Sequence, residues 1–211
     1  MAYLDVKNQF LGLLNRRDIT PTLADTFLSF GVQRIQRELR VPAMEKLIAM
    51  QTDGSANFPV PGDCLELIAM HTNDTYQHNK LTKCDLQTIL NYAQIPGAPR
   101  FYYREVGTIT VGPYPPSGTS IYVHYYVNAD SLSADTDTNW MTEIAPTLLI
   151  YAALSYACDY YLDDRKQLFE ASYIQIAEQL QQMALQEELQ NASIAPSYEA
   201  TPNYIGPYYG W

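Results

Sequence analysis

The apolar residues of this chain change their period twice. In residues 3–40 and 139–190 they recur every three to four positions, the spacing of a helix buried along one side. Residues 44–130 are instead short runs of β-formers cut by Gly, Pro and Asn. Strand side chains alternate with period two and helical side chains with period 3.6, so no single regular element satisfies both patterns. The chain is therefore read as α+β: a helical bundle body interrupted by an antiparallel β-hairpin-rich insertion and followed by an extended C-terminal arm. The boundaries drawn from this pattern are 1–42 for the N-terminal helices, 43–130 for the β-rich insertion, 131–191 for the C-terminal helices and 192–211 for the arm. At 211 residues, 47% hydrophobic and 17% charged, the chain has the composition of one folded domain with an elaboration.

Local signals place the elements. Tyr3, Val6, Phe10 and Leu13 predict a first helix, broken at Arg16 to Asp18. Thr20 as N-cap and Pro21 at the first helical position open a second, which carries Leu23, Phe27, Phe30 and Ile35 and ends at Pro42. In the insertion, Gly107 separates two β-runs. Ile121, Val123, Tyr125 and Val127 fall on one strand face, with Tyr122, His124 and Tyr126 on the other. Asp85 to Tyr92 reads as a short helix with Leu86, Ile89 and Leu90 on one side. Pro146 begins a strongly apolar helix, and Asp163 or Asp164 caps the next, which carries Leu168, Ala171, Ile174, Ala177, Leu180 and Leu185.

Charge and motif content narrow the function. Net charge is −10, and it is unevenly spread: residues 1–46 hold seven Lys/Arg against five Asp/Glu, the remainder six against eighteen. A DNA-gripping chain shows a basic stripe that displaces counterions, so sequence-independent DNA affinity is not expected, whereas an acidic wall suits a conduit through which DNA passes without sticking. The three cysteines, Cys64, Cys84 and Cys158, have no CxxC spacing and read as reduced thiols. The N-terminus has neither signal-peptide nor membrane-span character. His71, His78 and His124 lack metal-ligand spacing, and no P-loop, dinucleotide fingerprint or GxSxG is present, so no catalytic residue, metal or cofactor is assigned. Asp159, Asp163 and Asp164 form a tight carboxylate group and read as helix termination and capping. Arg34, Arg37 and Arg40 step along one side of the second helix near its C-terminal end. They read as a solvated face or as a contact with a neighbouring subunit or DNA.

The arm departs from the composition of the rest. Residues 192–211 contain three prolines, no Lys or Arg, and the aromatics Tyr198, Tyr204, Tyr208, Tyr209 and Trp211. Disordered tails are poor in aromatics, so this one is expected to dock, with Ile205 and Pro207 among its contacts. Five aromatics bury about 1,000 Å², or about 25 kcal/mol gross. Fixing about fourteen backbone residues costs roughly 14–28 kcal/mol. One arm sits near balance, and firm attachment needs many copies docking together.

Several stretches in order resemble the head-to-tail adaptor, or head-completion, proteins of tailed bacteriophages. They are Phe58-Pro-Val-Pro-Gly-Asp63 leading into Leu65 to Ala69, Gly97 and Pro99 before Phe101-Tyr-Tyr103, Val111-Gly-Pro113 with Pro115-Pro116, Ile121 to Tyr126, Asn139-Trp140, Pro146 to Leu154, and Tyr161-Leu-Asp-Asp-Arg165. The resemblance implies a non-enzymatic virion protein, assembled in the host cytoplasm, that forms a homo-oligomeric ring, commonly a dodecamer. It also implies docking beneath the portal protein, an extended DNA channel and a platform for tail nozzle or tail-tube proteins, with no membrane partner. The arm then reads as the portal-binding element. A stopper or tube-completion protein, or a glycan-binding or hydrolytic tail module using its aromatics on sugar rings, are the other readings.

Overall fold

A computed structural model describes residues 1–73 and 78–191; the arm 192–211 lies outside them. The helices are α1 (Tyr3–Leu14), α2 (Pro21–Glu38), α3 (Leu86–Tyr92), α4 (Trp140–Ile144), α5 (Pro146–Tyr161) and α6 (Lys166–Asn191). The strands are β1 (Glu45–Gln51), β2 (Asn57–Pro59), β3 (Cys64–Asn73), β4 (His78–Lys80), β5 (Thr82–Lys83), β6 (Phe101–Glu105), β7 (Thr108–Gly112) and β8 (Ser120–Val127). The fold is mixed α+β, as the change of period requires.

α5 is the axis of the helical part. Its small residues Ala152, Ala153 and Ala157 and its large ones Leu148, Leu149, Ile150 and Leu154 are all buried, because α1, α2, α4 and α6 cover it. Close approach of α2 depends on Gly31: a Cβ there would meet Ala153 N at 3.2 Å and Leu149 O at 3.3 Å. α2 starts as its sequence predicts, with Thr20 Oγ1 accepting from Leu23 N at 3.3 Å and Pro21 at the first position.

Two helices depart in part from the buried residues expected from their sequence. α1 buries Tyr3, Val6, Phe10 and Leu14, leaving Leu13 45% exposed. α6 buries Phe169 and Tyr173, packs Ile176, Ala177 and Leu180 against the core, and leaves Leu168, Ile174 and Leu185 exposed. The residues read from sequence fall mostly every third position and drift around a 3.6-residue helix, whereas Phe169, Tyr173, Ile176, Ala177 and Leu180 keep to one side. The buried side carries two aromatic rings, and it also turns Glu170 toward Arg34 of α2. In α3 only Ile89 is buried, while Leu86 and Leu90 face solvent.

The strands form two four-stranded sheets, in the orders β1-β8-β3-β4 and β2-β7-β6-β5. The ladders β3-β4 and β6-β7 are hairpins, the latter turning at Val106-Gly107 with Gly107 at φ +81°. The other ladders join strands distant in sequence, and the β5-β6 pair is parallel, with α3 between its strands in the chain. Inward residues of both sheets share one core of Phe58, Met70, Tyr102, Ile109, Val111, Ile121, Val123 and Tyr125. β8 is central to it and alternates as its sequence predicts, with Val127 at the rim.

Candidate interaction surfaces

The three arginines of α2 have three different environments. Arg34 grips Glu170 of α6 with both terminal nitrogens, one at 2.8 Å, and places Nε 3.0 Å from Glu38. Its guanidinium lies over the Tyr173 ring, and Tyr173 donates its hydroxyl to Glu38. Ser155 of α5 donates to Glu170 at 2.6 Å. Charge-assisted contacts to Arg34 hold the Glu170 carboxyl down at about 2, against the opposing effect of burial. Burial first, then the hydrogen bond to Glu38, pushes the Tyr173 phenol well above its ordinary value. Arg34 is thus engaged within the fold as a staple of α2 to α6.

Arg40 is engaged differently. It donates to the carbonyl oxygens of Gln36 and Leu39, each at 2.7 Å, satisfying the end of α2, and its Nε lies 2.8 Å from Glu66 on β3. It therefore joins the helical part to the sheet. Arg37 is exposed, with no hydrogen bond or ion pair among the described residues. It lines a shallow groove with Gln33, Gln36, Arg40 and Leu65.

The acidic group at the α5–α6 turn caps and ties. Asp163 Oδ1 accepts from Arg165 N at 3.0 Å, and the Arg165 side chain beside it holds the Asp163 carboxyl down at about 2. Arg165 also donates to the carbonyl oxygens of Leu13 at 3.2 Å and Leu14 at 2.9 Å, closing the C-terminal end of α1. Asp159 pairs with Lys166 at 2.6 Å.

The outward face of the first sheet is a second surface. Leu47 of β1 is 62% exposed and stands opposite His124 of β8, and with His71 and Tyr122 the two line a shallow apolar depression. His124 Nε2 lies 2.8 Å from Glu45 Oε2. The alternation of β8 reveals its half of this face in the sequence. Leu47 and Glu45 were not legible there, because β1 joins them only through pairing with β8.

A third surface is a groove lined by Pro42, Trp140, Ile144, Leu180, Met183 and Glu187, where the far half of α6 passes α4. Asn139 sets its geometry: Oδ1 accepts from Met141 N at 3.0 Å and Thr142 N at 3.1 Å, so Trp140 begins α4 in a fixed orientation. The Trp140 indole nitrogen is sealed from solvent and has no acceptor among the described residues. Such a donor costs about 1–3 kcal/mol until an acceptor reaches it. Nothing in the sequence distinguished this tryptophan from a core residue.

Of the arm residues assigned from sequence, Tyr198, Tyr204, Ile205, Pro207, Tyr208, Tyr209 and Trp211 all lie outside the described residues, as does the side chain of His78. Among the described residues no cluster of His, Cys, Asp and Glu has the makings of a metal site. No helix there is long and apolar enough to cross a membrane.

No curated protein matches the chain. The family model described as SU10 adaptor protein does, over residues 1–198. That span takes in both sheets and the six helices of the described residues, so the chain belongs to the SU10 adaptor protein family and is a bacteriophage adaptor, a structural part of the neck between head and tail.

Proposed function

We propose that this adaptor assembles into a homo-oligomeric ring, a dodecamer as in the proteins it resembles, and docks beneath the portal through residues 192–211. The ring extends the DNA channel and offers tail nozzle or tail-tube proteins a platform. The observation that carries the reading is the junction at Asn191. A 26-residue helix held to the body by Phe169, Tyr173 and the Arg34–Glu170 staple runs directly into a segment rich in aromatics and free of Lys and Arg. Each copy's arm continues from the same helix, anchored to the body at its first turns, so arms in a ring start from equivalent elements and engage together.

Arg37 is the arginine of α2 best suited to an acidic neighbour or to DNA, since Arg34 and Arg40 are already engaged. The acidic balance of the chain beyond residue 46 favours passage of DNA without adhesion.

Native mass spectrometry of the protein alone and mixed with portal tests both parts. A ring mass and a ring–portal complex are expected. Deleting 192–211 should abolish the complex and leave helical circular dichroism and thermal melting intact, and unchanged portal binding by the truncated chain overturns the docking role of the arm.

A further inference from the structure

We infer that the outer edge of β1 receives an extended strand of a tail-side protein, which joins the first sheet beside Leu47, Ala49 and Gln51; this rests on the reading of the ring as a platform for the tail. β1 is the edge of its sheet and pairs with β8 alone. Thr52, just past β1, sets the parity of that ladder. Its N–H donates to the Thr119 carbonyl at 3.0 Å and its carbonyl accepts from Gly118 N at 2.8 Å, so both of its backbone groups face β8. Facing residues alternate along an antiparallel pair, so Met50, Ile48 and Lys46 also turn their backbone groups to β8, while Gln51, Ala49 and Leu47 turn theirs away. The far side of β8 agrees. The Met70 carbonyl accepts from Leu81 N at 2.8 Å, away from β8, which leaves His71 facing β8 and its partner Tyr122 facing β3 rather than Ala49. The backbone groups of Leu47, Ala49 and Gln51 have no partner among the described residues.

The other sheet edges among the described residues are closed to this use. β2, β4 and β5 have three, three and two residues, Pro59 ends β2, and Lys80 and Lys83 stand on β4 and β5. Short strands, proline and lysine are the devices that keep an edge from recruiting a foreign strand. β1 instead runs seven residues in unbroken register without proline, and Leu47, Ala49 and Gln51 are exposed along it. Its outward groups recur about every 7 Å, a row that only another extended chain can match. Leu47 borders the apolar depression on one face of the sheet, and Ile48 and Met50 are half-buried on the other, so the incoming strand is apolar on both faces and lacks proline. A neighbouring copy is a poor donor. Its short edges match at most three of the seven residues of β1, and β1 against β1 is a two-fold contact that closes at two subunits and builds no ring. The portal is assigned to residues 192–211, which leaves the tail-side protein to supply the strand.

Hydrogen exchange at single-amide resolution tests this on the full-length ring alone, with portal, and with the phage's tail nozzle or tail-tube protein, binding being read separately by native mass spectrometry. In the ring alone the Ile48 and Met50 amides should exchange slowly and those of Leu47, Ala49 and Gln51 rapidly. A bound tail protein should slow the latter three at least about tenfold, and portal should leave them fast. Protection already present in the ring alone assigns the edge to a neighbouring copy, and protection by portal assigns it to portal; either overturns the inference, as does a bound tail protein that leaves the three amides fast. Failure of both tail proteins to bind overturns the platform reading and the inference with it, so the two failures are told apart. Ala49→Pro removes only an outward N–H and spares the ladder to β8, so it should weaken tail-protein binding at least about tenfold with melting unchanged. Ala49→Val, which keeps the N–H, should bind as the wild type does. Undiminished binding by a folded Ala49→Pro overturns the inference, and the exchange measurement on the unmutated chain decides it whether or not that variant folds.

Discussion

The Arg34 guanidinium carbon lies 4.0 Å from the centroid of the Tyr173 ring, with Glu170 and Glu38 both within its grasp. A cation over a buried ring and paired with two carboxylates holds α6 in one rotational setting against α2. The Arg34 side chain is 14% exposed, so the pairing is only weakly screened by solvent.

Removing this cation strands Glu170 in a partly buried position with Ser155 as its remaining partner. Arg34→Ala should cost about 2–4 kcal/mol, a little under the loss for a fully buried pair. Urea denaturation followed by circular dichroism measures it, and a loss below that of an ordinary surface pair would mean that α6 is seated by Phe169 and Tyr173 alone.

The same pair makes stability depend on acid. Glu170 is held at about 2 in the folded chain against an ordinary value of 4.5. The native state therefore favours the ionised form, and the stabilisation is fully present above about pH 4.5 and is lost as pH falls toward 2. It amounts to about 2–3 kcal/mol at neutral pH. Melting temperature measured between pH 6 and pH 2 should fall less steeply in Glu170→Gln than in the wild type, starting from a lower value at neutral pH.

Arg165 ties the α5–α6 turn to the last carbonyls of α1. Arg165→Met removes both bonds to the α1 carbonyls, for an expected loss of about 1–2 kcal/mol. Hydrogen exchange should quicken at the C-terminal end of α1 while α5 stays protected. Equal acceleration in both helices would show that the turn holds the whole bundle rather than one end of α1.

Two glycines in helices should respond oppositely. Gly12 lies on an exposed turn of α1 with no atom near a Cβ, so Gly12→Ala should stabilise by about 0.5–1 kcal/mol. Gly31 has backbone of α5 within 3.3 Å of a Cβ, and Gly31→Val should cost about 2–3 kcal/mol through overpacking. Thermal melts of the two variants compare them directly.

Much of the local structure was legible in the residues themselves. Thr20 and Pro21 open α2, Asp85 opens α3, Gly107 turns a hairpin, and Ile121, Val123 and Tyr125 point inward while Tyr122, His124 and Tyr126 point out. These features depend on bonds spanning a few residues and on the period of one element, which a linear sequence displays. What lay beyond it was partner choice. His124 meets Glu45 across 79 positions, and Arg34 meets Glu170 across 136. No local signal marks either pairing, the parallel β5-β6 ladder or the rotation of α6. Those were decided only in the tertiary structure, where α6 turned the side carrying Phe169, Tyr173 and Glu170 to α2 and α5, burying two rings and pairing a carboxylate with Arg34.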